Sequence, residues 1–319
     1  MNATRAMWLG SSAATIAGLS LRGAGMPLGA AAQAAAVHLR CGVGTVEANA
    51  QAFYAADMGY FKKNGLDVDI VKLRSGTTTM AAIVAGDLQC GVANVLSLGV
   101  ARQRGIPLVL IAPGAYYDST VATTQVVVAP NSPLTTAKDL NGKTVGGISL
   151  GGLDQLAMDA YIDRGGGDLS TVKFVEVPPS LMAEALAQGR VSAVAMNDPE
   201  LSHAIEANQV KVLSKGYDAI SKLFMQTVWF STQDWLNANK ETAKRFGDAI
   251  AAGGKWGMAN SEAAAGVLAK YTNFKEARAK MRYADRLDPA LIQPVFDAAL
   301  KYKLLPGPLA AADMVWNGK

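Results

Sequence analysis

The chain has 319 residues, half of them hydrophobic and 18% charged, with a formal net charge of +4. That length suggests about two domains, and the composition excludes disorder, collagen and coiled coil. Two histidines (His38, His203) and two cysteines (Cys41, Cys90) exclude a disulfide scaffold and leave a four-ligand zinc site only if all four converge.

The first 36 residues carry Arg5, an apolar run from Met7 to Leu21 and an alanine-rich end, with no acidic side chain. A basic start, a short apolar stretch and small residues before the cut describe a secretory signal peptide. Cleavage after Ala34 or Ala36 fits that pattern. The apolar run is short for a membrane span and is interrupted by Gly10, Ser11, Ser12 and Gly18. Losing Arg5 and Arg22 brings the charge from +4 to +2. The mature chain is therefore expected to be near neutral, soluble and periplasmic. So small and diffuse a charge argues against a nucleic-acid partner.

From residue 37 the pattern alternates between apolar strands and helices. Strands are predicted over 38–43, 67–73, 90–94 and 108–112, with helices over 51–63, 78–85 and 97–104. A strand at 125–129 and a loop at Asn131-Ser132-Pro133 lead into a second series. It has strands at 144–148, 172–177, 191–196 and 210–214, and helices at 154–164, 181–187 and 199–207. A returning strand at 227–231 precedes helices at 233–252, 255–271, 275–283 and 289–302. The last opens on Asp288-Pro289, an N-cap with proline at the first helical position. Such alternation indicates βαβ units and mostly parallel sheets.

Residues 65–94 and 167–197 repeat one another. Each reads as a strand, a polar turn, a helix from a Met-Ala pair, a glycine turn, a short strand and a terminal asparagine. Two similar lobes imply a cleft, and in open α/β sheets ligands sit beyond the carboxyl ends of the strands. In the first lobe those ends are Asn49 and Gln51 after strand one, Ser75-Gly76-Thr77 after strand two, Asn94, and Tyr116 after the fourth strand. In the second they are Ser149, Gly151 and Gly152, then Asn197 and Asp198. Phe224, ahead of the returning strand, is a further candidate lining residue. The two glycine turns stand at helix starts, where unpaired N–H groups attract anions; ordinary capping explains their hydroxyls equally well. Cys41 and Cys90 fall in strands that could be neighbours, either bridged or as free buried thiols.

The segment from Asn49 to Val68, with Gly59-Tyr60-Phe61 and Gly65-Leu66-Asp67-Val68, resembles the opening of ABC-transporter solute-binding proteins of the sulfonate, nitrate and taurine group, a superfamily also named for thiamine-pyrimidine proteins. Ser75-Gly76, Ile83 to Leu88 and Asp139 to Gly146 continue the resemblance, which spans about 38–235. It implies an α/β periplasmic binding protein type II fold, in which each lobe is a mixed, mostly parallel sheet flanked by helices. Two crossover strands, 125–129 and 227–231, would form the hinge. The implied organisation is a signal peptide over 1–36, lobe 1 from 37–126 and 228–319, and lobe 2 from 127–227.

The resemblance also implies that these loops hold the ligand, without a cofactor or catalytic residue, in a monomer that delivers it to the permease and ATPase subunits of an inner-membrane importer. No lysine or histidine falls in the matching loops. A small organic anion, a sulfonate or carboxylate with an apolar or aromatic body, is therefore expected rather than bare sulfate or nitrate. The alternatives are a thiamine-pyrimidine-type or other periplasmic enzyme, and a ligand sensor. The enzyme branch calls for a cysteine-rich motif and a site histidine that the matching loops lack.

Overall fold

The protein is seen here as a computed structural model that describes residues 35–272 and 280–318. The signal peptide expected over 1–36 lies almost wholly outside the described residues.

The chain begins with β1 (Val37–Gly44), α1 (Gln51–Asp57), α2 (Tyr60–Lys63), β2 (Leu66–Leu73), α3 (Gly76–Val84), β3 (Cys90–Asn94), α4 (Val95–Gln103) and β4 (Leu108–Pro113). It continues through β5 (Ala115–Asp118), β6 (Thr124–Val128), β7 (Thr144–Gly147), α5 (Leu153–Arg164), β8 (Lys173–Glu176), α6 (Met182–Ala187), β9 (Ala193–Asn197), α7 (Glu200–Glu206) and β10 (Lys211–Ser214). It ends with β11 (Leu223–Met225), β12 (Thr227–Thr232), α8 (Gln233–Ala238), α9 (Lys240–Ala259), α10 (Ser261–Tyr271), β13 (Arg282–Tyr283) and α11 (Pro289–Lys301).

The first sheet has the order β2-β1-β3-β12-β4 and the second the order β8-β7-β9-β6-β10. The two orders are the same arrangement. In each, the first three strands are parallel and the fourth, β12 or β6, runs antiparallel to both neighbours. The sequence repeat is thus β2-α3-β3 matched to β8-α6-β9. Its terminal asparagines hold equivalent places, with Asn94 opposite Thr227 and Asn197 opposite Thr124. The strands read as crossovers are the antiparallel members of the two sheets.

Hydrophobic burial fixes this arrangement. One face of the first sheet packs on α1, α9 and α10 around Phe53, Trp229, Phe246 and Leu268. Its other face packs on α3, α4 and α11 around Leu96, Leu98, Ile292 and Phe296, and that core continues into Leu153, Leu156 and Ala157 of α5. The second sheet has a cluster on each face, one around Val127, Val194 and Met196 and one around Val126, Val145 and Met158. Cys41 and Cys90 are register partners across β1 and β3 and are free, buried thiols. No helix among the described residues is long and apolar enough to cross a membrane.

Several local expectations are corrected. The helix expected over 51–63 breaks into α1 and α2 at Gly59, whose φ of 70° is left-handed. The helices expected over 233–252 and 255–271 instead break at Asn239 and Asn260. The stretch after the fourth strand is itself a strand, β5, between β11 and β13 in a small third sheet. Of the helix expected over 275–283, residues 275–279 lie outside the described residues, and Arg282–Tyr283 is the strand β13.

Gly114 joins β4 to β5 where Thr227 closes against it. A Cβ at that position would stand 2.1 Å from the Thr227 carbonyl oxygen, and neither backbone can yield easily. Gly114→Ala is expected to destabilise the chain by about 1–3 kcal/mol, as overpacking usually does; an unchanged urea midpoint would show that this junction is looser than it looks.

Candidate functional site

The carboxyl ends of the parallel strands place the candidate residues. In the first sheet, Ser75 ends β2 as the N-cap of α3, its Oγ accepting from the Thr78 N–H at 3.3 Å. Gly76 lies flat on β3, where a Cβ would stand 2.7 Å from that of Ala93. Thr77 is exposed on the first turn of α3. Asn94 caps α4, its Oδ1 accepting from the Ser97 N–H at 2.8 Å. Asn49 is buried with its amide over the end of β1, and its Oδ1 has no hydrogen-bond partner.

Other candidates serve as support. Gln51 is fully buried; its Oε1 accepts from the Trp229 indole at 2.9 Å and its Nε2 donates to the Pro113 carbonyl at 3.3 Å. Phe224 is fully buried between Tyr117 and Tyr217, at centroid distances of 5.2 and 5.8 Å. Tyr116 is half-buried in β5, and its carbonyl accepts from Gln226 Nε2.

In the second sheet the turn at 149–152 has the expected N–H groups, but the chain itself fills two of them, and that of Ile148 just before. Ile148 N–H donates to Asp154 Oδ2, Leu150 N–H to Glu176 Oε1 and Gly151 N–H to Gln155 Oε1, each at 2.8 Å. Ser149 is half-buried and Gly152 buried beside them. Asp154 also accepts from the Tyr217 hydroxyl at 2.5 Å. Burial pushes its carboxyl above the usual range, while the tyrosine and the Ile148 N–H pull it back. Two of the three acceptors are thus carboxylates, Asp154 and Glu176.

The two sheets meet at a seam. The Glu47 N–H donates to the Asp198 carbonyl at 3.2 Å, joining the loop after β1 to the loop after β9. Glu47 is fully buried; its Oε1 accepts from the backbone N–H groups of Lys280 and Met281, and its Oε2 has no partner. Burial pushes its carboxyl from 4.5 up to about 7, with Asp198 adding to the rise and the two N–H groups opposing it. Asp198 is buried and its Oδ1 accepts from the Ser202 N–H at 2.9 Å; burial raises its carboxyl, against the pull of Ser202 and Lys280. Glu200 is pushed up to about 7, chiefly by burial and further by Asp198. Its Oε2 is buried and unpartnered. Asn197 accepts from Thr124 Oγ1 at 2.6 Å at the edge of this group.

Lys280 Nζ donates to Ser202 Oγ at 2.9 Å and so also ties the seam. A depression of about 380 Å³ lined by Val121, Met258, Lys280, Met281 and Arg282 opens beside it. Its second cation, Arg282, pairs with Asp118 at 3.2 Å. No cluster of three or more metal-type ligands is present among the described residues.

Glu47, Asp154, Glu176, Glu200 and Lys280 were not among the sequence candidates. Glu47 offered one signal, as a lone acid among the small and apolar residues Val46, Ala48 and Ala50. Asp154 looks like an ordinary first-turn acid, and nothing local marks Lys280.

A family model described as NMT1/THI5 like matches residues 48–264. A formylaminopyrimidine-binding protein of Halalkalibacterium halodurans is 26% identical over 234 residues, covering 70% of this chain and 66% of the relative. The chain therefore spans just under two thirds of that relative's length. Among solved structures, the alkanesulfonate-binding protein of Xanthomonas axonopodis pv. citri bound to MOPS superposes with a TM-score of 0.74 at 17% identity, covering 88% of this chain and 98% of that one. The periplasmic aliphatic sulphonate binding protein of Escherichia coli gives 0.71 at 19% identity, covering 88% and 92%. These structures share the fold described above.

The raised carboxyls have a consequence for stability. A group whose pKa is higher in the folded chain favours folding at low pH. What Glu47 and Glu200 contribute is complete below about 4.5 and is lost as pH rises through about 7. The thermal midpoint of the ligand-free protein is expected to fall by several degrees between about pH 5.5 and pH 8. Glu47→Gln should flatten that fall; an equally steep fall in the variant would remove Glu47 as a cause.

Proposed function

Because the chain belongs to the NMT1/THI5 like family, we propose that it is the solute-binding component of an ABC importer. In this reading it is exported to the periplasm and works there as a monomer without a cofactor. A small organic molecule enters between the two sheets, lobe 1 (37–126 and 228–319) and lobe 2 (127–227) close on it, and the closed form docks on the permease that the ATPase drives.

The observation that carries this reading is the seam itself. Matched strand ends from two matched sheets meet through Glu47 and Asp198, and buried polar atoms with no protein partner stand beside that contact. Buried polar groups are normally satisfied, so such atoms suit a bound molecule. The relatives named above bind small organic molecules by their descriptions, which supports the same role. Carriage rather than catalysis fits the histidines: His38 is exposed and bonded to Asp67, and His203 lies on α7.

For the sulfonate or carboxylate expected from the sequence, the first turn of α3 still offers backbone donors, whereas in the turn at 149–152 the Leu150 and Gly151 donors are taken by Glu176 and Gln155. A second reading, an aminopyrimidine, draws on the formylaminopyrimidine-binding relative. Its amino groups would meet the unpartnered oxygens of Glu47 and Asn49.

The test is a thermal-shift screen of sulfonates, carboxylates, pyrimidines and amines on the purified chain. A true ligand at a hundredfold excess over its Kd should stabilise the protein by about 2.7 kcal/mol, and small-angle scattering should show the particle contract. A well-folded protein stabilised by none of these classes would overturn the solute-binding reading.

A further inference from the structure

The chain passes between the two main sheets twice, through β5 on the way out and through β11 on the way back. These short strands pair antiparallel, with Tyr117 opposite Phe224, so the two crossings form one ribbon. Any movement of one sheet against the other has to bend this ribbon. Tyr217 lies in the helical turn at 216–219, between β10 and β11. Its ring packs on the ribbon, with centroids 5.2 Å from Tyr117 and 5.8 Å from Phe224, and all three rings are buried.

The Tyr217 hydroxyl reaches out of this cluster and donates to Asp154 Oδ1 at 2.5 Å. The other oxygen of that carboxyl, Oδ2, accepts from the Ile148 N–H at 2.8 Å. Asp154 is buried over the end of β7, where a Cβ on Gly147 would stand 2.6 Å from its own. One side chain thus spans from the ribbon to the backbone that opens the turn at 149–152. The helix that follows, α5, is set between two cores. Leu153, Leu156 and Ala157 pack with α4 and α11, while Met158 and Ile162 pack on the second sheet. Close-packed interiors hold discrete arrangements and do not deform continuously. A buried hydrogen-bonded chain of this kind is costly to break at one member.

We propose that Tyr217 and Asp154 are positioning residues that couple the turn at 149–152 to the crossing ribbon, so that turn and ribbon move as one body when the sheets close. The inference rests on the solute-binding reading and adds the regulation of the same site. A ligand seated against the turn acts on the ribbon through Asp154, and a bend in the ribbon reaches the turn by the same route. Tyr117 provides the contrast. Its hydroxyl donates to Asp218 Oδ1 at 2.7 Å, within the turn at 216–219, so its loss leaves the link from Tyr217 to Ile148 whole.

The test uses the ligand-free chain and does not depend on knowing the ligand. Tyr217→Phe and Tyr117→Phe each remove one hydroxyl and keep the ring. Spin labels on cysteines placed at exposed Val84 of α3 and exposed Leu181 just before α6 report the separation of the two sheets, because Cys41 and Cys90 are buried. Tyr217→Phe is expected to broaden that distance distribution and to speed amide exchange at Ile148 by about tenfold or more. Tyr117→Phe should leave both as in the unsubstituted chain. Loss of either response in Tyr217→Phe, the same responses in Tyr117→Phe, or faster exchange spread evenly over the chain would overturn the inference. Should Tyr217→Phe fail to fold, exchange in the unsubstituted chain under mild urea decides. The Ile148 amide is expected to open in one unit with the amides of β5 and β11, and separate opening would overturn the coupling. The importer reading survives any of these failures, since it falls only if no ligand class binds.

Discussion

A polar atom buried without a partner costs on the order of 1–3 kcal/mol, and this cost concentrates at one place in the molecule. Glu47 is driven into the protein by its position between buried Val43 and Ala50, in the loop that carries β1 into α1. One oxygen is satisfied by the strap at Lys280 and Met281, and the other is not. The same residue's N–H holds Asp198 of the second sheet. Through its N–H and its side chain, Glu47 therefore ties together three separate stretches of chain. A residue that served stability alone would do better as an apolar side chain of similar volume.

The fold supplies the setting for that link. Two sheets of the same strand order place their loops at equivalent ends, so that Asn94 beside Thr227 and Asn197 beside Thr124 mark corresponding points. β12 returns from the far part of the chain to complete the first sheet, which keeps the two sheets covalently linked through more than one segment. The core of α4 and α11 extends onto α5, and Asp163 at the end of α5 bonds to Lys301 and Tyr302 at 2.8 Å. Contacts therefore join α5, beside the second sheet, to α4 and α11 of the first, in addition to the link between Glu47 and Asp198.

Much of this was legible in the sequence. Alternating apolar segments gave the parallel strands within a residue or two, and the repeat at 65–94 and 167–197 marked the matched β-α-β units. β5 and β13 were not legible, since four- and two-residue strands have no periodicity and exist only because they pair with each other and with β11. The partners of the turn at 149–152 were hidden for a similar reason. Donors at 149–152 can be read from glycines at a helix start, but the Glu176 carboxylate that takes one of them sits 26 residues away. Glu47 is held by a segment 233 residues distant. Local sequence shows which groups could bind something, and tertiary packing decides which of them are already bound.

The seam is thus the place where the two sheets and most of the unpartnered buried polar atoms coincide, and the most direct measure of its part in binding is the proton count. Calorimetry of the best ligand at about pH 6, repeated in buffers of different ionisation enthalpy, yields that count. A ligand seated at the seam changes the ionisation of Glu47 or Glu200, both raised to about 7, so net proton release or uptake is expected. A proton count of zero would mean that the ligand avoids these carboxyls and would contradict the central claim.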